Sequence, residues 1–335
     1  MSSSSFLESS PNVDPVLIET IVREMAEVES ALCEQMSSEV PAVEEVAMHT
    51  LQAGGKRLRP ALVTLSALAC RSEVDTSRTR ALGSCMEMIH MATLIHDDVI
   101  DQSDLRRGRP TAARLFGSTQ SILSGDVLLA KAMRLLALDG DLEIIRTVSS
   151  VVVDLAEGEV LELGLRNQLG ITREQHFEVL QKKTATFLGA CCEVGGLCAG
   201  ATESERKALR SFGVELGFAF QIIDDLLDYR EKNPKFGKPR ATDLREGCVT
   251  MPLLLLLPKL SAEERNKIVG WFGDTVSDVE IETICQWMDE RGVFGETLAL
   301  ARKHIDTAIS QTGSLQPEPA KILAAAAEFV FSRTH

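Results

Sequence analysis

Residues 85–100 read CMEMIHMATLIHDDVI, and this stretch decides the fold of the chain. Up to His96 it is apolar on nearly every face of a helix, and a helix that is apolar all round is a buried one. It then ends in Asp97 and Asp98, although a buried carboxylate is costly unless its charge is compensated. Residues 212–227 show the same pattern and lead into a second acidic cluster. The two stretches predict two interior helices, each with acidic residues at its end.

The rest of the chain also favours helices. Residues 111–233 and 259–316 contain no proline and are rich in Ala, Leu, Glu, Lys and Arg, which favour helix formation. No segment alternates apolar and polar residues with a period of two, so no strand is predicted. We predict one all-α domain over residues 13–335, preceded by a disordered lead-in over residues 1–12. The predicted helices cover residues 14–36, 42–53, 58–70, 77–101, 118–138, 141–165, 173–200, 203–231, 250–257, 262–271, 278–289, 293–311 and 317–332.

The composition argues against several classes of protein. Acidic residues number 49 against 35 basic ones, which gives a formal net charge of −14. Such a chain is a poor candidate for non-specific nucleic-acid binding, which depends on Lys and Arg neutralising phosphates. No apolar run reaches the ~20 residues that span a bilayer, and the Ser-rich N-terminus lacks the features of a signal peptide. We therefore expect a cytoplasmic protein with no membrane span and no nucleic-acid partner.

The acidic clusters share the pattern Asp-Asp-x-x-Asp and consist of Asp97, Asp98 and Asp101, and of Asp224, Asp225 and Asp228. Asp97 and Asp101 are four residues apart, so they lie on one helical face. Carboxylates placed together repel each other and are expensive to desolvate. Mg²⁺ relieves this repulsion, and it prefers a few carboxylates together with substrate phosphates and water. A single cluster could be a solvated helix face, but two clusters that each end a buried helix indicate metal binding.

Two basic segments accompany the acidic clusters. One is RRGRP at residues 106–110, and its Gly108 and Pro110 mark it as a loop. The other is GGKRLRP at residues 54–60. The planar arginine fork grips phosphate oxygens in pairs, so a multiply charged phosphate between acidic and basic groups is predicted. The alternatives are surface salt bridges for the first segment and a plain helix start at Pro60 for the second.

Seven blocks of sequence stand out along the chain: GGKRLRP at 54–60, EMIHMATLIHDDVID at 87–101, RRGRPT at 106–111, LSGDVLLAKA at 123–132, KT at 183–184, FQIIDDLLD at 220–228 and GKPRATDLREG at 237–247. In this order they resemble the trans-type isoprenyl diphosphate synthases of the polyprenyl synthetase family. The resemblance implies an isoprenoid-synthase-like, all-α helical bundle around a central cavity, usually as a homodimer. It also implies a Mg²⁺-dependent polyprenyl diphosphate synthase, which condenses a farnesyl- or geranylgeranyl-type allylic diphosphate with isopentenyl diphosphate.

The resemblance also implies roles for individual residues. The residues matched to isopentenyl diphosphate binding are Lys56, Arg59, His90 and Arg107. The main metal ligands are Asp97, Asp101 and Asp224, with Asp98 and Asp228 as supporting ligands. The residues matched to the allylic diphosphate are Arg106, Lys183, Thr184, Gln221 and Lys238. The residues predicted to carry catalysis are Asp97, Asp101, Asp224 and Lys183, whereas His96 is predicted to be structural.

The chain departs from the family pattern at two positions. Ala241 stands where a glycine is common, and Cys248 stands where a lysine is common. The missing lysine removes one cation near the allylic diphosphate, which puts substrate affinity or rate in question but leaves the reaction class unchanged.

Another position bears on product length, because Ala92, five residues before Asp97, is too small to block a growing chain. It favours a medium- or long-chain all-trans product.

Three alternatives remain open. A short-chain synthase that makes geranylgeranyl or farnesyl diphosphate would share all these motifs. A class I terpene cyclase also uses an aspartate-rich helix, but it needs no second diphosphate site, and the 4% aromatic content argues weakly against a cyclisation pocket. A non-catalytic subunit of a heteromeric synthase would be expected to lack one acidic cluster, and this chain has both.

Overall fold

The structure, a computed structural model, describes residues 15–71, 74–230, 240–273, 276–315 and 317–332. The predicted lead-in at residues 1–12 and the predicted substrate ligand Lys238 lie outside these ranges. The helices are α1 Pro15–Met36, α2 Pro41–Gln52, α3 Leu58–Cys70, α4 Thr76–Ile100, α5 Ala112–Phe116, α6 Ser118–Asp139, α7 Leu142–Leu165, α8 Arg173–Leu180, α9 Thr186–Cys198, α10 Glu203–Arg230, α11 Thr242–Arg245, α12 Met251–Leu256, α13 Ala262–Trp271, α14 Asp278–Glu290, α15 Val293–Gln311 and α16 Pro317–Ser332. This architecture confirms the all-α class.

One small hairpin contradicts the prediction that the chain has no strand. Strands β1, Leu105–Arg106, and β2, Arg109–Pro110, pair in antiparallel register. The two residues between them, Arg107 and Gly108, have φ angles of 53° and 75°. Two successive positive φ angles are typical of the tight turn that best suits a hairpin. Strands of two residues are too short to show an alternating pattern, so the sequence could not reveal them.

The long helices start where their side chains can cap them. Asp75 accepts a hydrogen bond from the backbone N–H of Ser77 at the start of α4, and Asp141 accepts from Glu143 at the start of α7. Thr172 forms a reciprocal capping box with Gln175 at the start of α8. Each cap satisfies backbone N–H groups that a helix leaves without partners.

Between α8 and α9 the helix continues through one widened turn, Gln181–Ala185. The N–H of Thr186 donates to the carbonyl oxygen of Gln181, five residues earlier, which is the spacing of a π-helix. The prediction of one continuous helix over residues 173–200 is therefore right about continuity, but it did not include the wide turn.

The core of the molecule is formed where α3, α4, α9 and α10 pack together. Two glycines allow the backbones to come unusually close. A Cβ at Gly195 of α9 would lie 2.2 Å from the carbonyl oxygen of Val63 in α3, and one at Gly213 of α10 would lie 2.4 Å from the carbonyl oxygen of Leu188. These contacts hold α10, with the second acidic cluster, against the centre of the bundle. Within the described ranges, no helix is long and apolar enough to cross a membrane.

Candidate active site

The central cavity has a volume of about 390 Å³ and lies among α4, α7, the wide turn, α10 and the segment that leads into α12. Its lining contains most of the residues that the sequence analysis predicted to bind substrate or metal. The predicted residues among its lining are Arg59, His90, Asp97, Arg106, Arg107, Lys183, Thr184, Gln221 and Asp224.

The first acidic cluster ends α4, and its three members have different surroundings. Burial raises the pKa of Asp97 to about 7, with a further contribution from the negative charge of Glu159. Asp98 is buried and accepts a hydrogen bond of 2.8 Å from Nε of Arg106. Asp101 forms an ion pair with Arg166. Only Asp97 of the three is among the residues that line the central cavity.

The second cluster is divided in a similar way. Asp224 lines the cavity. Asp225 is buried, and its Oδ2 lies 3.2 Å from Nε2 of His176. Asp228 accepts hydrogen bonds of 3.1 Å from the backbone N–H groups of Thr242 and Asp243, so it caps the start of α11. The predicted supporting roles of Asp98 and Asp228 in metal binding stay predictions, because each carboxylate already has a partner within the protein.

The carboxylates suit a divalent cation that completes its coordination with substrate. No set of three His, Cys, Asp or Glu side chains among the described residues forms a ready-made metal cage. Mg²⁺ does not need one, since it is commonly held by one or two carboxylates together with phosphates and water. Burial raises the pKa of Asp97 to about 7. A nearby positive charge stabilises the ionised form of such a carboxyl group. Of the three predicted main ligands, Asp97 and Asp224 line the cavity, whereas Asp101 pairs with Arg166, and metal binding by all three stays a prediction.

The wide turn presents Lys183 and Thr184 to the cavity. Lys183 forms ion pairs with Glu159, at 2.6 Å, and with Glu162. These two carboxylates keep the pKa of Lys183 above its usual range despite burial, so its ammonium group stays charged. Thr184 donates a hydrogen bond of 3.1 Å to Oε1 of Gln221.

Arg59, His90 and Arg107 also line the cavity, and we call these three residues the basic wall. Cζ of Arg59 lies 4.7 Å from the centroid of the Phe187 ring. Burial lowers the pKa of His90 well below its usual value, and the charges of Arg59 and Arg107 lower it further. His90 is therefore neutral at physiological pH, with one ring nitrogen able to donate a hydrogen bond.

The segment GGKRLRP contributes less to the cavity than its charge suggests. Lys56 is exposed and is not among the cavity-lining residues, and its Nζ lies 5.5 Å from the Phe329 ring centroid. Arg57 is buried and pairs with Glu29 and Glu87 at 2.7 and 3.2 Å. Arg59 alone reaches the cavity.

The sequence pattern of the polyprenyl synthetase family matches residues 40–288 of this chain. The chain belongs to the polyprenyl synthetase family. It is therefore a prenyltransferase, as the motifs predicted. It is 36% identical over 301 residues to octaprenyl diphosphate synthase from Escherichia coli strain K12, an alignment that covers 90% of this chain and 93% of that protein.

Solved structures with the same fold support this assignment. The crystal structure of a decaprenyl diphosphate synthase from Rhodobacter capsulatus has a TM-score of 0.88 and 35% identity, covering 95% of this chain and 98% of that one. A polyprenyl synthase from Caulobacter crescentus CB15, complexed with calcium and isoprenyl diphosphate, also has a TM-score of 0.88, with 32% identity and coverage of 95% and 97%.

This polyprenyl synthetase has a second cavity of about 350 Å³, which is largely apolar and lies among α4, α6 and α7. Ala92, only 2% exposed, is part of its wall. The two cavities share Thr93, Asp97, Leu155 and Lys183, so the apolar space begins beside the first acidic cluster. Met86, Met88 and Met91, which could have narrowed such a space, are not among the described residues that line it.

Four ionisable residues that line the cavity were not singled out by the sequence analysis: Glu162, Arg166, His176 and Asp243. Asp243 lies within the block at residues 237–247 that carries the family resemblance, so it could have been nominated. Burial and the charge of Asp228 raise its pKa well above the usual range. The other three lie outside every block of the family resemblance, and the packing of α7 against α8 and the wide turn brings them to the cavity.

Proposed function

We propose that this prenyltransferase uses Mg²⁺ to condense a farnesyl- or geranylgeranyl-type allylic diphosphate with isopentenyl diphosphate, and makes a medium- or long-chain all-trans polyprenyl diphosphate. One observation carries the proposal. A single cavity is lined by members of both acidic clusters and by the basic wall, and an apolar cavity begins beside Asp97. A metal ion needs the acidic residues, two diphosphates need the basic ones, and a growing isoprenoid chain needs the apolar space.

Two different groups of cavity residues bind the two substrates in this proposal. Arg59, His90 and Arg107 are suited to hold isopentenyl diphosphate, since guanidinium groups grip phosphate oxygens in pairs. Lys183 and Arg106 face the allylic diphosphate, and the charge of Lys183 is maintained by its neighbouring carboxylates. When bound, Mg²⁺ supplies Lewis-acid stabilisation of the departing pyrophosphate.

The reaction needs no protein nucleophile. The bond between C1 and oxygen of the allylic diphosphate breaks, and pyrophosphate leaves with the electron pair. C1 then forms a bond with the terminal alkene carbon of isopentenyl diphosphate, and a proton is lost, with pyrophosphate as its acceptor. The protein holds the two reacting carbons together, and such positioning alone accounts for a large part of many catalysed rates.

Two observations favour elongation over the alternatives. A terpene cyclase has no use for the wall of Arg59, His90 and Arg107, which is additional to Arg106 and Lys183 on the allylic side. A non-catalytic subunit has no use for a cavity lined by members of both acidic clusters. A short-chain product would require the apolar cavity to be blocked near Asp97, and Ala92 leaves it open.

We also propose that the protein works as a homodimer through α6 and α7. Several large apolar side chains on these two helices are exposed: Leu123, Leu138, Leu142, Val153 and Val160. Large exposed apolar surface indicates an interaction site, and a second copy of the same chain is the commonest partner for such a face.

The decisive experiment is an elongation assay with labelled isopentenyl diphosphate and Mg²⁺. Geranyl, farnesyl and geranylgeranyl diphosphates are offered separately as primers, and product length is read by mass spectrometry. We expect elongation of the farnesyl or geranylgeranyl primer beyond four isoprene units and no product when EDTA removes the metal. Absence of elongation with every primer would contradict the proposal, and products that stop at three or four units would support the short-chain alternative.

A further inference from the structure

We propose that Arg166 binds the allylic diphosphate and supplies the cation that Cys248 does not. The inference rests on the proposed function, because it assigns one more residue to the allylic site. Arg166 directly follows α7, outside every sequence block that carries the family resemblance. It lines the central cavity together with Asp97, Lys183 and Cys248.

Arg166 and Cys248 lie on chain segments that run side by side. The N–H of Asn167 donates a hydrogen bond of 2.8 Å to the carbonyl oxygen of Gly247. Burial raises the pKa of the Cys248 thiol, and the guanidinium of Arg166 is close enough to oppose that rise. The side chain of Arg166 thus reaches the region where the family commonly has a lysine on the neighbouring segment.

The guanidinium of Arg166 still has donors to offer. Its Nη2 pairs with Asp101, but its Nε is buried and has no hydrogen-bond partner among the described residues. A buried donor without a partner is costly, and five N–H groups cannot all be satisfied by one carboxylate. A diphosphate in the same cavity would provide several acceptor oxygens with the opposite charge.

The ion pair with Asp101 holds the side chain of Arg166 in the wall of the cavity. Asp101 is also a proposed metal ligand, and a divalent cation there would offset the charge of the carboxylate. The attraction between Asp101 and Arg166 then weakens, which leaves the guanidinium N–H groups for the oxygens of the diphosphate. The alternative is that the ion pair only joins the end of α4 to the end of α7.

The test uses four variants of the full chain: Arg166→Met, Arg166→Lys, Cys248→Lys and the double variant Arg166→Met/Cys248→Lys. Arg23→Met is the matched control, since Arg23 is an exposed arginine on α1, outside the cavity lining and the face of α6 and α7. Steady-state kinetics give KM separately for the allylic and isopentenyl substrates. Calorimetry with inorganic pyrophosphate, with and without Mg²⁺, measures binding independently of turnover, and thermal unfolding reports whether each variant folds.

A charge-assisted contact of this kind is worth roughly a 10- to 100-fold change in binding. We expect Arg166→Met to raise KM for the allylic diphosphate and to weaken pyrophosphate binding by that factor, while KM for isopentenyl diphosphate changes less than about twofold. Cys248→Lys should recover most of the loss in the double variant, and Arg166→Lys should be intermediate. Arg23→Met should behave like the wild type.

Two outcomes would overturn the inference. One is a fall in unfolding temperature for Arg166→Met with both KM values and pyrophosphate binding unchanged, which is the result expected of a purely structural ion pair. The other is a double variant that binds pyrophosphate no better than Arg166→Met. If the wild type elongates no primer, the proposed function fails, but the pyrophosphate titration still decides whether Arg166 binds a diphosphate.

Discussion

The surroundings of Asp97 disfavour the ionised form of its carboxyl group. Burial and the negative charge of Glu159 raise its pKa to about 7. In the unfolded chain the same group titrates near 3.8, so ionised Asp97 costs the folded protein free energy at neutral pH. The residue that the proposed chemistry most needs is thus one that weakens the metal-free fold.

Replacing Asp97 with asparagine should therefore separate stability from function. We expect Asp97→Asn to abolish elongation and to raise the free energy of unfolding of the metal-free protein at pH 8 by about 2–4 kcal/mol. Because the wild type loses stability as pH rises from about 4 to about 7, the gain should grow over that range and level off above it. Urea unfolding at pH 4, 5.5 and 8 measures it.

The control for this prediction is Asp289→Asn, which removes an exposed carboxylate from α14. It should change neither elongation nor the pH dependence of unfolding. A gain for Asp97→Asn that is equally large at pH 4 would mean that the strain at Asp97 does not arise from its charge.

At the residue scale, the sequence predicted cavity residues correctly where their spacing along a helix determines which way their side chains point. His90 and Asp97 both reach the cavity because they lie two turns apart on one face of α4. Arg57 and Arg59 could not be told apart by their chemistry. The backbone of Arg57 turns to a φ of 49° just before α3, which sends its side chain to Glu29 and Glu87. No local pattern specifies that turn.

At the scale of elements, α4 connects the two cavities, because it carries both Asp97 and Ala92. The bounds of α4 were predicted within one residue at each end, and the structure shows Asp75 as the cap at its start. The wide turn after α8 was not predicted, because it depends on how α7 and α10 pack against it. Tertiary contacts can override local helix preference in this way.

Ala92→Phe should shorten the product. The added ring would fill part of a cavity of about 350 Å³ at the point where it begins beside Asp97. We expect the main product to lose several isoprene units, with KM for isopentenyl diphosphate unchanged. Mass spectrometry of the products measures this change, and Ala81→Phe, on the exposed side of the same helix, is the control. An unaltered product length would show that chain growth takes another route.

Gly213→Ala should destabilise the bundle. The new Cβ would lie 2.4 Å from the carbonyl oxygen of Leu188, a backbone atom that cannot move away without shifting a whole helix. Overpacking of this kind costs about 1–3 kcal/mol of unfolding free energy. Gly270→Ala is the matched control, because a Cβ at Gly270 meets nothing within 4 Å. Equal stabilities for the two variants, measured in urea, would contradict the close approach of α9 and α10.

At the scale of the whole molecule, the central cavity and the apolar cavity share lining residues, and the apolar face of α6 and α7 is exposed. The all-α class could be predicted because proline-free, strongly helix-forming stretches dominate the chain. The cavity itself could only be inferred from the family resemblance, because residues such as His176 and Asp225 meet through packing between distant parts of the chain.

The proposed homodimer should come apart when charge is placed on the face of α6 and α7. Leu123 and Val153 are 58% and 55% exposed, so lysines there should leave the monomer folded. We expect Leu123→Lys/Val153→Lys to halve the mass measured by light scattering after size-exclusion chromatography. Val279→Lys, at a position that is 77% exposed on α14, should leave the mass unchanged. A wild type that is already monomeric would refute the proposed assembly.

The wide turn at Gln181–Ala185 has a consequence for how this part of the chain can evolve. The extra residue in this turn rotates the residues that follow it about the helix axis. Lys183 and Thr184 therefore line the cavity while the glycines of α9 still face α3 and α10. Deleting one residue would restore an ordinary helix and rotate one of these faces by roughly 100°. Alignments of relatives should therefore show no gaps between residues 172 and 198, whereas insertions can accumulate in the connections on the surface.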